Sequence, residues 1–263
     1  MLSAAVLMAI LGGVLFVAPW WAAVVLAGVA AAVAAAELAG LSAAAGAPVS
    51  RPVAVTATAA VCVATALGGG SIHGGPMLQV LLAVIVGIGV VTLGSGAPSP
   101  SGITRAATLF MAPLYVGVPV GLLAWIRVVH GPEVLVWLVA VIAVSDSAQY
   151  AGGRLFGRTR LAPAVSPAKT REGSATGVAA AAVAGAVLAG WGLRGEAAAV
   201  AALMAIVLAI VGIAGDLFES FLKRSVGVKD ASHLIPGHGG VLDRIDAYLF
   251  AAPVFVLLLG YLG

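Results

Sequence analysis

Residues 52–104 read PVAVTATAAVCVATALGGGSIHGGPMLQVLLAVIVGIGVVTLGSGAPSPSGIT, with no Asp, Glu, Lys or Arg among them. A membrane-spanning helix needs about 20 mostly apolar residues, so this run is too long for one span. The stretch Gly68-Gly69-Gly70-Ser71-Ile72-His73-Gly74-Gly75-Pro76 divides it into two. The rest of the chain has the same character. Hydrophobic residues make up 62% and charged residues 9% of the 263 positions, and mean hydropathy is +1.16. Soluble domains carry about 25% charged residues, so this chain cannot cover a water-facing exterior. The reading is an all-α, polytopic integral membrane helical bundle. The 35 glycines and the alanine runs fit helices packed closely in lipid. The single Cys62 excludes an internal disulfide and a cysteine-cluster metal site.

Working outward, residues 1–50 hold one charge, Glu37, and fit two helices broken near Pro19-Trp20-Trp21. No basic n-region marks a cleavable signal there. Further spans are expected at about 106–126, 134–151, 175–193, 197–215 and from 245 to the C-terminus, about nine helices in all. The organisation expected is an N-terminal region of about four helices, 1–104, and a C-terminal catalytic region, 105–263, with cytoplasmic loops 152–174 and 220–244. With nine spans, the loops after even-numbered helices carry eleven of the thirteen basic residues; only Arg127 and Arg194 fall on the other side. The positive-inside rule then puts the even loops and the N-terminus in the cytoplasm. A net charge of +3 is explained by this bias, not by nucleic-acid binding.

Sixteen of the twenty-three charged residues lie in two windows, 146–176 and 216–246. Ionisable groups near membrane depth are costly and default to functional candidates. Asp216 and Glu219 lie three apart at the end of one expected helix, and Asp243 and Asp246 repeat that spacing where the last helix begins. Oxygen-only ligands of this kind suit Mg²⁺, which takes one or two carboxylates plus substrate phosphates. The alternative is that Asp243 and Asp246 simply occupy a helix N-terminus. Between the two pairs lie Lys223, Arg224, Lys229 and Asp230, with Arg244 beyond, and Gly237-His238-Gly239-Gly240 lets backbone N–H groups approach a phosphate. Topology alone would account for any one of the cations. His233 and His238 lack zinc-site spacing, and no nucleophile elbow supports a Ser220/His238/Asp243 triad. In the first window, Asp146 and Tyr150 precede Gly153-Arg154-Leu-Phe-Gly157, then Ser166-Pro167-Ala-Lys169-Thr170-Arg171-Glu172. The hydroxyls, the ammonium and the free backbone of that stretch suit a nucleotide, or equally a helix-capping turn.

The pattern Ser220-x-x-Lys223-Arg224-x-x-x-x-Lys229-Asp230, then Pro236-Gly237-His238-Gly239-Gly240-x-x-Asp243-Arg244-x-Asp246, resembles the signature of the phosphatidate cytidylyltransferases. These are the CDP-diacylglycerol synthases. The first window resembles that family's Ser-Pro-x-Lys-Thr segment, with Arg171 standing where relatives often carry Trp; the first four helices are similar only in being hydrophobic. The resemblance implies a homodimeric enzyme of the cell inner membrane, facing the cytoplasm, that converts CTP and phosphatidic acid to CDP-diacylglycerol and pyrophosphate. It implies Asp216 and Asp243 as ligands of Mg²⁺, with K⁺ as a second cation and Asp246 supporting the same centre. Lys223, Arg224, Lys229, Asp230 and Arg244 complete the expected catalytic set. Asp146, Tyr150, Ser166, Lys169, Thr170, Glu172, Ser220, Gly237, His238, Gly239 and Gly240 are the expected substrate contacts. A CTP-dependent transferase or kinase acting on an isoprenoid phosphate or alcohol, or an anion transporter, are the rival readings. A transporter would place its charges near the bilayer midplane, whereas here they cluster at one face.

Overall fold

The computed structural model describes residues 12–13, 16–68, 75–94, 99–193, 195–232, 234 and 239–261. The chain forms two compact units: Met1–Val129 with Ser225–Arg244, and His130–Arg224 with Ile245–Gly263.

The first unit is built on four long helices, α1 (Trp20–Ala44), α2 (Arg51–Gly68), α3 (Pro76–Gly94) and α4 (Gly102–Val129). Helix α1 starts after Pro19 and stops at Gly46, whose φ of +75° takes the left-handed turn a side chain would resist. Midway along α4, Ala112–Gly117 widens to a π-helical turn. Pro113 there has no N–H to give and would clash with the preceding turn of a regular helix, so the ladder loosens around it. Helix α4 lies hard against α2: a Cβ at Gly121 would sit 2.5 Å from the Cys62 carbonyl, and one at Gly117 2.8 Å from that of Thr58. Small residues permit that approach, and dispersion contacts hold it in lipid.

The second unit contains α5 (Pro132–Phe156), a hairpin of β1 (Arg160–Ala162) and β2 (Ser166–Thr170), then α6 (Arg171–Val187) and a single turn, α7 (Ala189–Gly192). Helix α8 (Ala198–Ser225) follows, and α9 (Leu242–Gly260) joins the unit from Ile245 onward. Helix α6 turns a buried stripe of Gly173, Gly177, Ala181 and Gly185, a small residue every fourth position. A Cβ at Gly152 of α5 would meet the Thr176 hydroxyl of α6 at 2.5 Å, and one at Gly173 the Gln149 carbonyl at 2.7 Å. Further along, the fully buried Trp137 donates its indole N–H to the Gly185 carbonyl at 3.1 Å and stacks on Phe255 at 5.5 Å.

Helices α1, α2, α3, α4, α5 and α8 are each long and apolar enough to cross a membrane. This is an all-α, polytopic integral membrane protein, with one short hairpin among the described residues. The first of the nine expected spans lies mostly outside the described residues, as do residues 69–74 at the expected break. Several ends differ from the sequence expectation. Helix α5 continues to Phe156, α8 to Ser225, and α9 begins at Leu242. Charges and glycines bound the expected spans, but they end an apolar run, not a helix. In α8 the extra turns are held by Lys223 and Glu219, four residues apart and ion-paired at 2.6 Å.

Candidate functional site

In the second unit the site is organised by the hairpin between α5 and α6. Thr170 caps α6, its hydroxyl oxygen accepting the Gly173 N–H at 3.1 Å, so the capping alternative holds for this residue. Glu172 reaches back to accept the N–H groups of Arg158 and Thr159, each at 3.1 Å. Those backbone donors, Arg158 first, hold its carboxyl down at about 2. The Arg171 N–H closes onto the Thr159 carbonyl at 2.8 Å, and the Arg160 guanidinium donates to the Pro167 carbonyl. Glu172 and Thr170 therefore shape the loop. Ser166 is half-buried in β2, while Tyr150 is 72% exposed.

The hairpin aims Lys169 at α8, where its ammonium pairs with Asp216; the two side chains are only 20% and 30% exposed. Ser220 donates to the other Asp216 oxygen at 3.5 Å. Asp146, on α5, lies within electrostatic reach of Lys169 and Asp216, and Asp246, on α9, within reach of Asp216, Asp146 and Lys223. Glycine makes this convergence possible, since a Cβ at Gly215 would sit 2.6 Å from the Asp246 carbonyl. Carboxylates from three helices thus lie within electrostatic reach of one another, with the Lys169 ammonium paired to Asp216 and near Asp146. Lys223 gives its own charge to Glu219, which is fully buried. Among the described residues no three His, Cys, Asp or Glu side chains converge closely enough to share one ion. The donor chemistry nevertheless fits a hard dication: carboxylate oxygens in excess over local positive charge, with a hydroxyl beside them.

In the first unit, Ser225–Arg244 forms a second polar segment. The Asp243 carboxylate accepts the Gly240 N–H at 2.7 Å and the Ala231 N–H at 3.1 Å, so in this state it ties the segment together at the start of α9. Gly239 has φ +76°, and a Cβ there would fall 2.8 Å from an Asp243 oxygen. Gly239, Gly240 and Asp243 are therefore brought together. Arg224, Lys229, Asp230 and Arg244 are exposed. Gly237 and His238 lie outside the described residues. Glu37 of α1 was left without a role by the sequence reading, yet it contacts this segment through three hydrogen bonds. Its signal was available: it is the one charge in residues 1–50, set deep in an apolar helix.

Spanning helices whose polar ends carry clustered carboxylates and cations define a membrane-embedded protein. A model of the cytidylyltransferase family matches residues 1–262, and the chain belongs to that family. It is 42% identical over 149 residues to a phosphatidate cytidylyltransferase of Helicobacter pylori, covering 57% of this chain and 55% of the relative. A Synechocystis protein of the same name is 40% identical over 174 residues, 64% of this chain and 55% of that one. One from Brucella suis is 44% identical over 135 residues, 48% and 47% of the two chains. The chain spans about half the length of the curated relatives it matches.

Proposed function

We propose that the chain transfers CMP from CTP to phosphatidic acid, giving CDP-diacylglycerol and pyrophosphate. The observation that carries this reading is the half-buried pairing of Lys169 with Asp216, with Asp146 and Asp246 within electrostatic reach of that Asp216 carboxylate. The names of the relatives support it. Phosphatidate brings its own nucleophile: a phosphate oxygen attacks the α-phosphorus of CTP, and the bond to the β-phosphate oxygen breaks as pyrophosphate departs. No strong general base is needed. The obstacle is that two polyanions must meet, so positioning and electrostatics carry the rate.

The chain's own residues supply both. Lys169 turns from Asp216 to a phosphate oxygen of CTP, while the exposed Arg224, Lys229 and Arg244 draw the anions in. Glu172 and Thr170 keep the hairpin in the shape that presents Lys169. On the sequence pattern, Asp216 and Asp243 are the proposed ligands of Mg²⁺, with Asp246 in support and K⁺ as a second cation. When bound, the metal supplies neutralisation of the triphosphate and of the leaving pyrophosphate. The same reading makes the protein a homodimer of the inner membrane, its site facing the cytoplasm so that CTP arrives from water and the diacyl substrate stays in the leaflet. The test is purified protein incubated with CTP, Mg²⁺ and micelles holding either phosphatidate or an isoprenoid phosphate. CDP-diacylglycerol from phosphatidate alone is expected; product only from the isoprenoid lipid, or from neither, would overturn the proposal.

A further inference from the structure

Glu37 sits within a spanning helix, is 7% exposed, and accepts three hydrogen bonds from residues 195 to 205 positions later. The Ser232 hydroxyl donates at 2.6 Å and the Val241 N–H at 3.0 Å to one oxygen, and the Leu242 N–H donates at 2.7 Å to the other. A carboxylate at membrane depth is costly unless its charge is met by donors. Here the donors include the Leu242 N–H, the first of α9, which has no partner within its own helix and lies at its positive end. Glu37 is thus an N-cap delivered from another helix. Gly240 is fitted to it, since a Cβ there would stand 2.5 Å from Glu37 Oε1. Asp243 meanwhile takes the Gly240 and Ala231 N–H groups. The two carboxylates grip the same turn, Glu37 just after Gly240 and Asp243 from the helix beyond.

We propose that Glu37 is a positioning residue for the transfer reaction: it fixes Gly240–Leu242 and through them the direction in which Asp243 presents its carboxylate. The inference rests on the cytidylyltransferase reading for its kinetic consequence, but not for its structural one. Both are tested in the full-length chain with Glu37→Gln, which keeps the size and removes the charge. Hydrogen bonds to a charged group are worth about ten- to a hundredfold each. Amide exchange at 239–242 should therefore quicken by about tenfold or more, with the amides of α2 and α4 unchanged. The kcat for CDP-diacylglycerol should fall by about tenfold or more per folded molecule, while KM for phosphatidate stays within about twofold. Gly240→Ala should damage the wild type in the same way yet add little to Glu37→Ala, which opens the space. If Glu37→Gln yields no folded protein, Ser232→Ala carries the test, with the same two changes expected at about threefold. Unchanged exchange at 239–242, or unchanged kcat per folded molecule with only a lower melting temperature, would overturn the proposal. A wild type that makes no CDP-diacylglycerol would defeat the functional reading alone, leaving the exchange measurement to decide the clasp.

Discussion

Replacing Lys169 by Ala separates the two things its ammonium is asked to do. At rest it neutralises Asp216 in a pair whose side chains are 20% and 30% exposed. A fully exposed pair is worth about 0–1 kcal/mol, while breaking a buried one costs about 3–5 kcal/mol. This pair lies between those limits, and solvent screening argues for the lower part of the range. Without Lys169, Asp216 keeps, among the described residues, a long 3.5 Å hydrogen bond from Ser220 and faces the charges of Asp146 and Asp246. We expect Lys169→Ala to cost about 1–2 kcal/mol of stability, a few degrees in detergent melting temperature for a protein of this size. The catalytic loss should be larger and of a different kind. One charge-assisted contact to a CTP phosphate is worth about 1.5–3 kcal/mol, so KM for CTP should rise about tenfold or more. Asp216→Asn should largely remove the stability cost of Lys169→Ala, because the partner left stranded is then neutral. Initial-rate kinetics over CTP concentration, with melting curves for both single variants and the double, make the test. An unchanged KM for CTP with fully additive stability effects would return Lys169 to a solvated topological charge.

Asp216→Asn and Asp243→Asn should each lower the rate by about a thousandfold, about 4 kcal/mol, with the double variant little worse and EDTA abolishing wild-type activity until Mg²⁺ is restored; an Asp243→Asn protein keeping more than about a tenth of its activity would confine that carboxylate to tying its loop. Gly177→Leu should leave little folded protein, because even a Cβ there would stand 2.8 Å from the Ser145 carbonyl and overpacking costs about 1–3 kcal/mol where neighbours can yield; a normally melting variant would refute the tight α5–α6 seam. Single cysteines in a Cys62→Ser background should label 154–172 and 223–244 from the cytoplasmic side and the C-terminus from the other, and labelling of both from one side would defeat the nine-span topology.

Legibility in the sequence followed from which forces act locally. The membrane class was plain because an uncharged run as long as 52–104 admits few other readings. The clustering of the charges likewise marked both polar windows. Helix ends were less legible: Lys223 falls in the expected loop 220–244, yet its i,i+4 pairing with Glu219 carries α8 onward to Ser225. Glu172 and Thr170 read as nucleotide contacts, and the structure shows them holding the hairpin and capping α6, work that depends on backbone donors from Arg158, Thr159 and Gly173. Glu37 was hardest to place. Its partners lie at 232, 241 and 242, and only the tertiary fold brings such distant positions together.

Movement of a CMP unit from CTP onto phosphatidate is read out by the fate of two phosphorus labels. Purified protein in phosphatidate micelles with Mg²⁺ should carry label from α-³²P CTP into the organic phase as CDP-diacylglycerol, while label from γ-³²P CTP stays in water as pyrophosphate. Transfer of the γ-label to lipid, or of neither label, would contradict it.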